Sequence, residues 1–286
     1  MFVPDAELNA DLCLSSGQVF RFRKLNDEWI GLSGHNIITC SRTEGGWLVS
    51  SSPDSSAAAK FFRLNVSAQE TNEQILKRAG ELTTYINRHI GLRVLHHSPP
   101  TETLFSFICS ANNNISRITK MVNFLGRTGK HIADDLHAFP SPEAISQLTE
   151  ASLRSAGFGY RAAIIPKVAN ILLTKPTNWL ESLQNVSYEA AHSALTELPG
   201  IGPKVADCIC LIGLGHMLAV PVDTHLWNAA TELYFPEWRG KPVTPQRYRA
   251  VGDLFREKFG DLAGWAHQYL FYDKVLAYRG GKLPKA

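Results

Sequence analysis

Apolar positions along the chain change period near residue 100. Before it they recur at short, strand-like spacing. Val19-Phe20-Arg21-Phe22-Arg23 alternates apolar and basic residues, and Trp29-Ile30-Gly31-Leu32, Asn36 to Ser41 and Gly46 to Ser51 follow. A period of two marks a strand with one covered face. Asn26-Asp27 and Glu44-Gly45-Gly46 are turn signals between these runs. Residues 1–66 therefore read as an antiparallel sheet. Ile75, Ala79, Leu82, Ile86 and Ile90 then fall on one helical face, with Gly91 placed to close the helix.

From Thr101 onward the period is helical. Leu104, Ile108, Ala111 and Ile115 share a stripe that Ile118, Val122 and Leu125 continue. Asn112-Asn113-Asn114 falls inside this run, although asparagine is a poor helix former. Such a local conflict marks either a capped helix end or a functional site. Ser141-Pro142-Glu143 opens a helix, and Gly157-Phe158-Gly159-Tyr160-Arg161 separates two helical segments. Pro166 starts or kinks the next helix. Ser187 is an N-cap for a helix ending near Glu197, and Asp223 for one through His225 and Trp227. Thr244-Pro245 opens a helix that closes near Gly260, and a last helix carries Gly264 to Phe271. The pattern predicts an α+β protein. Residues 1–98 form an antiparallel sheet domain with a helix, 99–286 form a mainly helical domain, and His96-His97-Ser98-Pro99-Pro100 is the joint.

Composition narrows this little. The 286 residues, 44% apolar and 19% charged, suit a globular protein with a substantial core. A net charge of +3 permits nucleic acid as a partner without arguing for it. Five irregularly spaced cysteines, an odd number, argue against a disulfide framework and fit a reducing compartment. Cys208-x-Cys210 is too close for a zinc pair, and His96-His97 has no nearby carboxylate or thiol to complete a metal site. No secretory signal and no apolar run of ~18 residues is seen, so an intracellular protein with no membrane span is expected.

The chemistry concentrates in Leu198 to Trp227, LPGIGPKVADCICLIGLGHMLAVPVDTHLW. Gly200 and Gly202 flank Ile201 in a tight turn, and Lys204 follows at a helix start. Free N–H groups and the positive dipole end make such a start a phosphate cradle. A lysine there is most often a solvated surface residue, and an aspartate before a helix most often a cap. Yet Lys204 runs against the dipole, which favours cations at the other end. That misfit suits an amine serving as a nucleophile. Asp223 comes nineteen residues after Lys204, beside His225.

These residues resemble the helix-hairpin-helix, Gly-Pro-Asp superfamily of base-excision DNA glycosylases, and within it the 8-oxoguanine DNA glycosylase/AP lyases. The hairpin is Leu198 to Gly202 within residues 187–214, the nucleophile position is Lys204, and Pro221-Val222-Asp223 supplies the carboxylate. Phe105 to Thr119, FSFICSANNNISRIT, matches almost residue for residue, and the likeness covers nearly the whole chain. The resemblance implies an N-terminal sheet domain of the TATA-binding-protein-like kind. It further implies a base pocket of Gly17, Cys208, His267 and Phe271. In the family the Gly17 carbonyl accepts the N7–H that distinguishes 8-oxoguanine from guanine, Cys208 packs on the lesion, and Phe271 stacks on it. His267 is a departure, since the family usually has glutamine there. Neutral imidazole offers one donor and one acceptor and partly replaces it. Asn112 would fill the gap left by the base, Tyr160 would wedge the stack, and Arg117 and Arg161 would read the orphaned cytosine. Gly200, Gly202 and His225 would contact phosphate. Without the resemblance, Ser15-Ser16-Gly17 is an ordinary turn, Tyr160 a packed loop aromatic, Cys208 a small buried apolar residue and His225 a cap or a solvated side chain.

The implied reaction excises 8-oxoguanine opposite cytosine. The nucleotide is flipped out, the Lys204 amine attacks C1′ while Asp223 stabilises positive charge on the sugar, and the Schiff base then undergoes β-elimination. No cofactor or catalytic metal is required, although hairpin carbonyls of the family can hold a structural monovalent cation. The partner is double-stranded DNA containing an oxidised purine, bound by a monomer in the nucleus of a eukaryote or the cytoplasm and nucleoid of a prokaryote. Two alternatives remain: a monofunctional glycosylase for alkylated bases, which Lys204 disfavours, and a non-catalytic DNA-binding protein whose hairpin only grips phosphate.

Overall fold

The computed structural model describes residues 1–278 and 280. Strands β1 (Phe2–Pro4), β2 (Arg23–Leu25), β3 (Glu28–Ser33), β4 (Asn36–Thr43) and β5 (Gly46–Ser52) form one antiparallel sheet in the order β1-β5-β4-β3-β2. The register sets Trp29 opposite Cys40 and Cys40 opposite Val49. Trp29, Ile38, Cys40, Trp47 and Val49 are buried on the covered face. Thr39 and Ser50 join hydroxyls across the other face at 2.8 Å. This is the one-sided sheet that alternation predicts.

Three expectations for this half are corrected. Helix α1 (Ala10–Ser15) lies inside the stretch read as strands, capped by Asn9, whose side chain accepts the Leu12 N–H. Val19 to Phe22 are not a strand, and β2 begins only at Arg23. Instead of alternating across a sheet, Val19 and Phe20 are both buried, and the Phe20 ring meets Phe107 at 5.8 Å. Arg21 also turns inward, to Glu102 at 2.9 Å. Packing against the helical half overrides the local period. After α2 (Ala57–Phe61), the single helix expected over Ile75 to Ile90 is broken. It consists of α3 (Ala68–Arg78), a 3-10 turn Gly80–Leu82, and α4 (Thr83–Arg88), and Ile90 is 49% exposed. Gly91 serves a different need from closing that helix. Its φ is +78°, and a Cβ there would lie 2.5–2.6 Å from backbone atoms of Asn9 and Asp5.

The helical half comprises α5 (Pro100–Ser110), α6 (Ile115–Gly126), α7 (Pro142–Ser146), α8 (Glu150–Ser155), α9 (Arg161–Thr174), α10 (Trp179–Ser182), α11 (Tyr188–Thr196), α12 (Pro203–Cys208), α13 (Thr224–Leu233), α14 (Pro245–Phe259) and α15 (Ala263–Tyr278). A small hairpin, β6 (His131–Ala133) with β7 (Leu136–His137), was not foreseen. The Asn112-Asn113-Asn114 triplet does not sit in a helix. It is the link between α5 and α6, with Asn112 at φ +48° and Asn114 capping α6 through the Arg117 N–H. Asparagine tolerates both roles because its short side chain bonds the local backbone. The N-caps read at Ser141, Ser187, Asp223 and Thr244 are all present. The two halves share one core. Arg93, fully buried, donates to the carbonyls of Phe62, Glu7, Arg63 and Val66 and lies over the Trp265 ring of α15 at 5.4 Å. His97, buried at the joint, approaches the Leu32 carbonyl, and its backbone N–H donates to Ile212. Among the described residues no helix is long and apolar enough to cross a membrane.

Candidate active site

The hairpin joins α11 to α12. Gly200 turns at φ +78°, and a Cβ there would come within 2.8 Å of Ile164 on α9, so this glycine permits both the turn and the close approach. Gly202 is the N-cap of α12, Pro203 its first residue and Lys204 its second. After Cys208 the backbone widens into a buried π-helical segment, Ile209–Leu214. The apolar sequence around Lys204 is thus a core face that drives the helix inward and leaves the amine at a cavity. Asp223 reaches the same cavity from another segment. Its Oδ1 accepts the His225 and Leu226 N–H groups, both at 2.9 Å, which caps α13. Both cap bonds fall on one oxygen, so Oδ2 is left for other partners.

The cavity, about 900 Å³, is lined by Gly17, Asn112, Lys204, Cys208, Asp223, His225, His267 and Phe271. Eight residues named from sequence are therefore brought together from both halves of the chain. Lys204 Nζ lies 3.4 Å from Ser110 Oγ and 5.5 Å from the Phe107 ring centre. Cys208, one turn on, is within hydrogen-bonding reach of that amine. Burial pushes its thiol up to about 11, with Lys204 only partly offsetting. It stays a protonated, soft wall and no rival nucleophile. His267 stacks on Phe271 at 5.8 Å and 19°. The imidazole is 3% exposed, and neither ring nitrogen makes a hydrogen bond of good geometry. Burial holds it at about 4, against the pull of the Asp223 carboxylate and the nearby Gly264 and Pro221 carbonyls. Neutral at physiological pH, it has one donor and one acceptor, and both ring nitrogens are buried in this conformation. His225 stands edge-on to Phe271 at 6.0 Å. Gly17, at φ +85°, passes so close to Ile115 that a Cβ would lie 2.9 Å from its Cδ1.

Tyr160, Arg161 and Arg117 do not line this cavity. They gather around the link that carries Asn112. The Tyr160 ring is 53% exposed, with its hydroxyl donating to the Ala111 carbonyl at 3.2 Å. Arg161 is buried beneath it, bonded to the Ala111 carbonyl and 4.5 Å from the Tyr160 ring centre. Arg117 donates to the Gly157 carbonyl at 2.9 Å. Gly200 and Gly202 line a second cavity of about 720 Å³, which Lys204 and Asn112 also reach. A cation at the hairpin would have to be held by backbone carbonyls, because among the described residues no cluster of His, Cys, Asp or Glu could hold a metal.

Sequence reasoning missed Asp207, Tyr188 and Tyr248, which border the second cavity. The signal was available: an aspartate inside the apolar run Val205-Ala206-Asp207-Cys208-Ile209. It also missed Ser110 and Phe107 beside the amine.

Residues 105–251 match the family model of HhH-GPD superfamily base excision DNA repair proteins, and residues 1–104 that of the 8-oxoguanine DNA glycosylase N-terminal domain. The chain is 38% identical to the N-glycosylase/DNA lyase OGG1 of Arabidopsis thaliana over 96% of its own length and 79% of that protein. It is 36% identical to the N-glycosylase/DNA lyase of Saccharomyces cerevisiae over 76% of its length and 65% of the relative. The Clostridium acetobutylicum 8-oxoguanine glycosylase/lyase, solved with double-stranded DNA containing cytosine opposite 8-oxoguanine, superposes with a TM-score of 0.83 at 25% identity, covering 98% of both chains. Sheet domain, hairpin and shared cavity thus coincide with one family: the chain belongs to the HhH-GPD superfamily of base excision DNA repair proteins, in its 8-oxoguanine glycosylase/lyase branch.

Proposed function

We propose that this chain removes 8-oxoguanine from duplex DNA and nicks the strand, with Lys204 as nucleophile and Asp223 as its electrostatic partner. The observation that carries this reading is one cavity holding an amine, a carboxylate and a stacked imidazole–phenyl pair. A stacked base is out of reach, so the nucleotide must leave the helix at a cost of a few kcal/mol. Asn112 lines the cavity, and Tyr160 and Arg161 bond the neighbouring Ala111 carbonyl; with Arg117 they would fill the gap and meet the widowed cytosine. Arg161 gives up its Ala111 contact to do so. The extruded base enters between Phe271 and Cys208, with the Gly17 backbone and His267 at its polar edges. The unprotonated Lys204 amine attacks C1′, the bond to the base breaks, and the base leaves with the electron pair and takes up a proton. Asp223 Oδ2 faces the positive charge that develops on the sugar. The amine loses its proton as the ring opens to a Schiff base. Loss of a proton from C2′ then expels the 3′ phosphate. Gly200, Gly202 and His225 hold flanking phosphates. Carbonyls between Leu198 and Ile201 would hold a monovalent cation, which supplies positive charge to the phosphate and no chemical step. The two-domain division at residue 98/99, action as a monomer, and residence with nuclear or nucleoid DNA complete the proposal.

The test is a duplex with one 8-oxoguanine opposite each of the four bases, scored separately for base release and nicking, with borohydride trapping of the enzyme–DNA adduct. Lys204→Gln is expected to abolish release and trapping while lesion-DNA binding persists. Unchanged release by that variant refutes the nucleophile assignment. Release without any trapped adduct in the wild type points to a monofunctional enzyme.

A further inference from the structure

We propose that Asp207 is a positioning residue, whose carboxylate fixes, through Tyr248, the spacing between the helix bearing Lys204 and the segment bearing Asp223. The proposal rests on the reading of Lys204 and Asp223 given above. Lys204 and Asp207 lie three apart on α12, so any shift of one moves the other. The Asp207 side chain is buried, at 1% exposure, where an apolar residue would pack with no hydrogen-bond requirement. Instead it takes two tyrosine hydroxyls. Tyr188 on α11 donates to Oδ1 at 2.6 Å, and Tyr248 on α14 donates to Oδ2. The Tyr248 hydroxyl in turn accepts the backbone N–H of Val222 at 3.4 Å. One unbroken chain of bonds therefore runs from the Lys204 helix to the Val222 backbone, one residue before Asp223. His192 Nε2 stands 3.9 Å from Oδ2, and Arg256 approaches the Tyr188 hydroxyl at 3.4 Å. Burial pushes the carboxyl up while the two hydroxyls pull it back. A buried ionisable group with this many partners is expensive to keep, and an apolar replacement often costs a fold nothing. Its retention beside two reacting groups from separate segments points to geometry as its purpose.

Tyr248→Phe removes the link to Val222 while keeping the ring, and Asp207→Asn forces one tyrosine bond to reverse. Tyr188→Phe is the control, because that hydroxyl binds the same carboxylate but does not reach Val222. Excision of 8-oxoguanine is followed under single-turnover conditions, where the rate constant is independent of the folded fraction. Tyr248→Phe and Asp207→Asn are expected to slow it about tenfold or more, the scale of a small misplacement of reacting groups. Lesion-duplex affinity should stay within about threefold, and the double variant should be no slower than the slower single one, since both break the same chain. Tyr188→Phe should keep nearly the full rate. The proposal is overturned if Tyr248→Phe reacts at the wild-type rate, if Tyr188→Phe is as slow as Tyr248→Phe, or if the variants lose amplitude only. Trapping by the wild type and its loss in Lys204→Gln test the underlying mechanism independently of these variants.

Discussion

Asp223→Asn separates two tasks that one carboxylate performs. As an N-cap, Asp223 accepts two backbone N–H bonds at 2.9 Å through Oδ1. Asparagine keeps an oxygen in that position and caps about as well, so α13 should remain intact. Alanine removes the cap at about 1 kcal/mol, a fall in Tm of roughly 2–4 °C for a chain of this size. The charge is a separate matter. A carboxylate oxygen about 4 Å from a sugar cation is worth roughly 4 kcal/mol at an effective dielectric constant near 20. Asp223 is half-buried, so solvent screens part of this. Removing one preorganised electrostatic group in an active site usually costs about a hundredfold to a thousandfold. Asp223→Asn is therefore expected to melt within about 1 °C of wild type while losing at least roughly a hundredfold in single-turnover excision. Asp223→Ala should lose both rate and melting temperature. The assay is quenched single-turnover release of 8-oxoguanine from a duplex, with melting by circular dichroism on the same samples. A near-wild-type rate for Asp223→Asn would falsify the electrostatic role, and a Tm loss equal to that of alanine would show that the cap needs the charge.

Other outcomes follow from the same geometry. His267 and His96 are both held at about 4 in the folded chain against an ordinary 6.5, chiefly by burial. The unfolded chain binds these protons first. Their contribution is therefore fully present above pH 6.5 and is lost as pH falls toward 4, by ~3 kcal/mol for each group. His267→Gln should flatten the decline of Tm between pH 7 and 4.5, and an unchanged slope would contradict the assigned environment. Tyr160→Ala should leave stability within about 0.5 kcal/mol, since the ring is largely exposed, yet weaken binding of lesion duplex in a gel-shift titration. Gly17→Ala should lower both Tm and lesion affinity, because φ is +85° and the new methyl would press on Ile115. Equal melting of that variant and wild type would mean that the turn relaxes freely.

Sequence alone determined the capped helices and the hairpin. Ser141, Ser187, Asp223 and Thr244 announce their helices because a cap is a local bond over two or three residues. The strands β3 to β5 were legible because one face meets core and the other meets water, which imposes the period of two. Lys204 and Asp223 stood out because their motif is local as well. The tertiary structure decided whatever depends on contacts across the chain. Phe20 alternates like a strand residue but packs on Phe107, and Ile90 keeps the helical period but faces solvent. Asp207 in its apolar run looks like a flaw until two tyrosines from other helices complete it. The cavity itself belongs to this second class, since Gly17, Lys204, Asp223 and Phe271 meet only when the sheet domain docks on the helices. A cap is satisfied by neighbours in sequence, whereas the state of a group such as His267 is set by burial and by Lys204, Pro221 and Asp223, more than forty positions away along the chain.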